Sequence, residues 1–176
     1  MSWPSNLQSL TFGSLVHGLD RMVLPSSLQI LSLGWMVDDV YRPALGLNRV
    51  TLPSGLQSLT FHPLDRDSLH VVTLPSSLQS LKFGDCFDQS LEGVTLPGSL
   101  QSLSFGERFN QSLDRVTLPS GLQSLTFGRN FNEDLEKVKW PSNLKSLTFS
   151  GRFNKRMRLP SSLHSVTCGA RLVSIV

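Results

Sequence analysis

Apolar residues return in the same order about every 22 positions along this chain. In the stretch Leu118 to Lys139, LPSGLQSLTFGRNFNEDLEKVK, the apolar places are Leu118, Leu122, Leu125, Phe127, Phe131, Leu135 and Val138. Polar residues fill most of the places between them. The prolines of a Leu-Pro or Trp-Pro step mark the same period. They stand at Pro4, Pro25, Pro53, Pro75, Pro97, Pro119, Pro141 and Pro160, spaced 21, 28, 22, 22, 22, 22 and 19. A fixed period of this length marks a solenoid, whose units each bury an apolar face only by stacking on the next. The reading is a single repeat domain over residues 1–176 with about eight coils. The second unit carries an insertion at about 35–48, and the seventh is shortened near Lys155–Arg158.

Two parts of each unit alternate apolar and polar with period two, as strands do. In Ser124-Leu125-Thr126-Phe127, Leu125 and Phe127 point inward, and Ser124 and Thr126 outward. In Val116-Thr117-Leu118, Val116 and Leu118 point inward. Gly84, Gly106 and Gly128 end the first strand, and proline ends the second. Between them Phe109, Leu113 and Val116 follow a helical i, i+4, i+7 spacing. One short turn capped by Asn110 or Asn132 is favoured there. The rival is an asparagine ladder of Asn110, Asn132 and Asn154, with Asp88 in the fourth unit. The predicted fold is mainly β: a solenoid with two parallel strand ladders and little helix, roughly 35–40 Å long at the usual strand spacing.

Composition shapes the expected surface. Charged residues make up 16% of the 176, against ~25% in an ordinary domain. Ser, Thr, Asn and Gln must therefore supply the polar exterior, and such neutral side chains stack in columns without repulsion. The net charge is +3 but unevenly placed. Residues 1–128 hold 7 basic and 10 acidic groups, and residues 129–176 hold 9 and 3. Two cysteines, Cys86 and Cys168, are too few for a disulfide framework. Cys168 takes an inward phenylalanine place, where a buried, inert thiol is expected. No apolar run reaches membrane-spanning length. The opening MSWPSNLQSL lacks the charged start and apolar stretch of a signal peptide. The reading favours a cytoplasmic protein, or a piece of a longer chain, with no membrane association.

The segments Leu100 to Leu113, L-x-x-L-x-F-G-x-x-F-N-x-x-L, and Leu113 to Leu125, L-x-x-V-x-L-P-x-x-L-x-x-L, carry a family likeness. The first resembles the FNIP-type repeats of the leucine-rich-repeat superfamily. The second resembles BspA-like leucine-rich repeats. The chain departs from the FNIP pattern at Gln111-Ser112-Leu113, where that family often has proline. The resemblance implies protein binding through an exposed ladder face, and it implies no catalytic residues.

Candidate chemistry is sparse. His17, His62, His70 and His164 fall at different places in their units, with no metal-ligand spacing around them. The serines sit in Pro-Ser-Ser and Pro-Ser-Gly corners as turn formers, without a G-x-S-x-G step. The reading is therefore no enzyme, no metal and no cofactor. The candidate binding surface is the outward strand columns Ser58, Thr60, Ser102, Ser104, Ser124, Thr126, Ser146 and Thr148. Trp35 and Tyr41 of the insertion join it, as do the variable Arg108, Arg129 and Arg152. A protein partner is expected, together with end-to-end self-association, because Leu172, Val173, Ile175 and Val176 form no polar cap. Nucleic acid is disfavoured, since Phe149 and Phe153 are core places and leave the basic end without stacking aromatics. Two alternatives stand beside this: a structural or ice-binding-like solenoid using flat Ser/Thr ladders, and an anionic partner at the basic end.

Overall fold

The computed structural model describes residues 3–13, 22–33, 50–61, 69–169 and 171–173. Among the described residues, eight segments of the Ser-Leu-Thr-Phe type and a final Arg-Leu-Val segment form one sheet, stacked in chain order. They are β1 (Ser9–Phe12), β2 (Ile30–Leu33), β3 (Ser58–Phe61), β4 (Ser80–Phe83), β5 (Ser102–Ser104), β6 (Ser124–Phe127), β7 (Ser146–Phe149), β8 (Ser165–Cys168) and β9 (Arg171–Val173). The first eight pair in parallel, each with the strand one unit later. The last pairs antiparallel with β8. The only helix among the described residues is a 3-10 turn at Leu69–Val71. The fold is thus a mainly β, leucine-rich-repeat-like solenoid. Among the described residues it completes about six turns rather than about eight. The chain reverses at Gly169, where φ is +60°.

Inside, the alternation of the sequence becomes burial. Leu81, Leu103, Leu125 and Leu147 are 0% exposed, and each sits opposite its counterpart in the next strand. Phenylalanines fill the space beyond the strands in two interleaved columns. Phe83, Phe105, Phe127 and Phe149 stand 5.3–5.5 Å apart between coils. Phe87, Phe109, Phe131 and Phe153 stand 5.8–6.2 Å apart. Within a coil the two rings stack at 3.8–4.2 Å. Near-parallel offset rings attract one another, but removing their apolar surface from water stabilises the stack more.

Backbone groups are satisfied from coil to coil. The Gln123 carbonyl accepts from both Lys145 N–H and Ser146 N–H, at 2.8 and 3.0 Å. The Gln8, Gln29, Gln57, Gln79 and Gln101 carbonyls do the same for the coils that follow them. At the proline corners the Ser27, Ser77, Ser99 and Ser162 hydroxyls donate to a leucine carbonyl of the preceding coil at 2.6–2.9 Å. The corner serines therefore tie coils together as well as forming turns.

Two expectations are corrected. The Val116-Thr117-Leu118 segment keeps its in-and-out alternation, with Val116 5% and Leu118 7% exposed. It forms no second ladder among the described residues. Its donors are spent locally: Val94 and Val116 N–H donate to Leu91 and Leu113 within their own coils, at 3.0 Å. Proline follows at once and brings no N–H. The second correction concerns the Phe-Asn segment, where the asparagine ladder forms. Asn132 N–H donates to Asn110 Oδ1 at 2.8 Å, and Asn154 N–H to Asn132 Oδ1 at 3.2 Å. Asp88 Oδ1 plays the same part for Asn110 N–H at 2.9 Å. A tight turn does follow, but Ser90, Ser112 and Asp134 close it, each accepting from the N–H two residues on.

Candidate interaction surface

The outward side of the ladder carries the predicted columns in register. Ser58, Ser80, Ser102, Ser124 and Ser146 are successive partners, as are Thr60, Lys82, Ser104, Thr126 and Thr148. All eight predicted hydroxyl residues are half-buried, because neighbouring side chains in a column shield one another. Gln57, Gln79, Gln101 and Gln123 flank the columns. Two places break the pattern. Ile30 stands in the serine column between Ser9 and Ser58, 47% exposed, and Lys82 stands in the threonine column. Lys82 stands out in the sequence pattern. Ile30 does not, and only its alignment with Ser58 reveals it.

Arg108, Arg129 and Arg152 are at the surface. Arg129 Nε lies 3.6 Å from Glu107 of the coil before, and Arg115 and Arg158 make similar pairs with Glu92 and Glu136. Exposed pairs of this kind are worth well under about 1 kcal/mol each. They align neighbouring coils without holding them together. Trp35 and Tyr41 lie outside the described residues. So do His17 and His62, while His164 is exposed and His70 lies on the 3-10 turn. Among the described residues no three His, Cys, Asp or Glu side chains gather into a metal-holding group. No helix of the described residues is long and apolar enough to cross a membrane.

A second feature was hidden in the sequence. Beyond the carboxyl ends of β6, β7 and β8 lies an open cleft of about 850 Å³, lined by Arg129, Asn132, Ser150, Gly151, Arg152, Phe153, Cys168 and Gly169. It brings Arg129 and Arg152 together and leaves Arg108 out. Cys168 lines it half-buried, rather than enclosed as its inward place suggested, because the chain turns back right after it. Burial still pushes its thiol up from the ordinary cysteine value, so this wall of the cleft is uncharged near neutral pH. The signal available in the sequence was that Cys168-Gly169 lacks the following Phe-Asn of the other units.

The repeat is also recognised among known families. The family model of the FNIP repeat matches residues 65–108 and 109–138. A solved structure, that of CroV588, a novel circular LRR protein, is 28% identical with a TM-score of 0.47. The match covers 94% of this chain and 34% of that one, so the chain spans about a third of that protein's length. A search of curated proteins found no match. The 22-residue period, the buried Leu-x-Phe strands and the Phe-Asn ladder are the physical content of the repeat match. Residues 65–138 of this repeat solenoid thus match the FNIP repeat.

Proposed function

We propose that the chain is a non-enzymatic scaffold that binds another protein through the outward face of its strand ladder and the loops beside it. The observation that carries this reading is the pair of in-register columns through Ser102 and Ser104, which present neutral hydroxyls from strand to strand. Their own backbone is already satisfied by the ladder, so the side chains are the groups available to a partner. Specificity comes from the irregular places, because regular ones repeat. Ile30 and Lys82 are irregular on the face itself, and Trp35 and Tyr41 belong to the inserted segment. The same two interruptions favour a protein partner over a crystalline surface, which a uniform hydroxyl lattice would suit better. No thermal hysteresis is expected of the purified protein.

The test is affinity capture with three forms of the full chain. One is unchanged, one carries Ser102→Lys and Ser124→Lys on the outward face, and one carries Thr95→Lys and Thr117→Lys on the far side of the coil. A partner bound by the unchanged chain and by the far-side variant, but not by the outward-face variant, is the expected result. A partner retained by the outward-face variant overturns the reading.

A further inference from the structure

The cleft at the carboxyl ends of β6–β8 is the seat of a missing rung. In the coils that begin this stretch at Gly84, Gly106 and Gly128, the Gly-x-x-Phe segment is covered by the corresponding segment of the next coil. Phe87 and Phe109 are 0% exposed for that reason, and Phe131 is 1%. Phe153 has Phe131 below it and Phe149 beside it, at 6.2 and 4.2 Å. No ring is stacked over it among the described residues, and it is only half-buried. The asparagine ladder stops at the same place. Asn154 donates its N–H to Asn132, and among the described residues nothing donates to its own side-chain oxygen. The cause lies in the eighth unit, which turns back at Gly169 into β9 before any such segment can form.

The floor of this seat is bare and its rim is positive. Gly151 takes the place that Asp85, Glu107 and Arg129 hold in earlier coils. A Cβ there would overlap the Arg129 carbonyl, so the position stays without a side chain. Arg152 has no acidic partner among the described residues, and Arg129 shares only the exposed Glu107. Two arginines and a phenylalanine lining one cleft suit a carboxylate carried next to an aromatic ring.

We propose that this cleft binds a segment of a partner protein in which an aromatic residue directly follows one or two carboxylates, seated as the next rung over Phe153 and Asn154; the place over Phe149 is already filled by Cys168. The occupant's ring covers Phe153, a backbone N–H of the occupant reaches the Asn154 side-chain oxygen, and its carboxylate meets Arg152 and Arg129. This surface is separate from the outward ladder face. Variants of Ser102 and Ser124 leave it unchanged, so either surface can fail without the other.

The test is fluorescence anisotropy of a dye-labelled, amidated peptide Gly-Asp-Glu-Phe-Asn titrated with the full chain. Saturable binding is expected. Arg152→Glu weakens it by about tenfold or more, because a like charge then faces the carboxylate. A peptide with Lys-Lys in place of Asp-Glu binds the unchanged chain poorly and regains affinity for the Arg152→Glu chain. Arg108→Glu, at the equivalent place in a covered coil, leaves binding unchanged. If the Arg152→Glu chain loses its circular-dichroism spectrum, Arg152→Gln carries the same test with a smaller loss. Absence of saturable binding overturns the proposal. So does equal weakening by Arg108→Glu, or displacement of the peptide by inorganic phosphate at matched ionic strength.

Discussion

The backbone N–H of Asn132 donates to the side-chain oxygen of Asn110, 22 residues earlier, at 2.8 Å. One residue type thus gives its N–H downward and offers its oxygen upward, and the motif propagates itself. Removing Asn110 by substitution with Ala leaves a partly buried N–H without an acceptor, at a cost of about 1–2 kcal/mol. Asn110→Asp recovers at least half of that loss, because Asp88 accepts the same bond at 2.9 Å. Urea midpoints at an unchanged m-value measure both.

Glycine tests the closeness of the coils directly. A Cβ at Gly128 would overlap the carbonyl of Gly106, and a Cβ at Gly106 that of Gly84. Backbone cannot step aside as a side chain can, so Gly128→Ala is expected to cost about 2–3 kcal/mol or more. A Cβ at Gly98 meets nothing within 4 Å, and its φ is not positive. Gly98→Ala should therefore stabilise by about 0.4–1 kcal/mol through the unfolded chain. Opposite signs in thermal melts of the two variants are the expected result.

The phenylalanine columns should show an end effect. Phe127 is 0% exposed and contacts Phe105, Phe131 and Phe149. Phe127→Ala is expected to cost about 3–5 kcal/mol. Phe153→Ala, at the open end of its column, should cost less than half as much. Equal losses in chemical denaturation would mean that the end of the stack is as tightly enclosed as its middle.

Trp140 takes the place of the leucine in the Leu-Pro step, and its indole N–H is buried with no hydrogen-bond partner among the described residues. Leu118 and Leu96 fill the same place in the coils before it. Trp140→Leu gives up ring contacts but removes an unsatisfied donor, which costs about 1–3 kcal/mol to bury. The variant is expected to melt at the same temperature or higher, as read by calorimetry.

The period and the inward residues were legible because burial follows sequence spacing. Leu125 and Phe127 can face only one way once Ser124 and Thr126 face the other. Hydrogen-bond destinations were not legible in the same way. Val116-Thr117-Leu118 alternates like a strand, yet Val116 N–H is taken by Leu113 of its own coil. Asn132 fits the pattern of a cap and of a ladder equally well. The choice depends on a neighbour 22 residues away, at a distance no local pattern encodes. The outward columns follow directly from the alternation, but Arg129 and Arg152 became neighbours of one cleft only through the reversal at Gly169.

The reversal at Gly169 also bears on alignment. Units of nearly equal length make a one-dimensional lattice in which a strand displaced by one whole period finds an equivalent seat, leucine on leucine and phenylalanine on phenylalanine. Sliding by a unit would therefore be nearly neutral through the middle of the stack. The antiparallel hydrogen bonds of β9 with β8 have no counterpart one period earlier. β9 therefore works as a registration mark: it tells an otherwise translationally symmetric chain which strand is eighth. Loss of its pairing would release misaligned stacks and exchanged coils between molecules long before it unfolded any single coil.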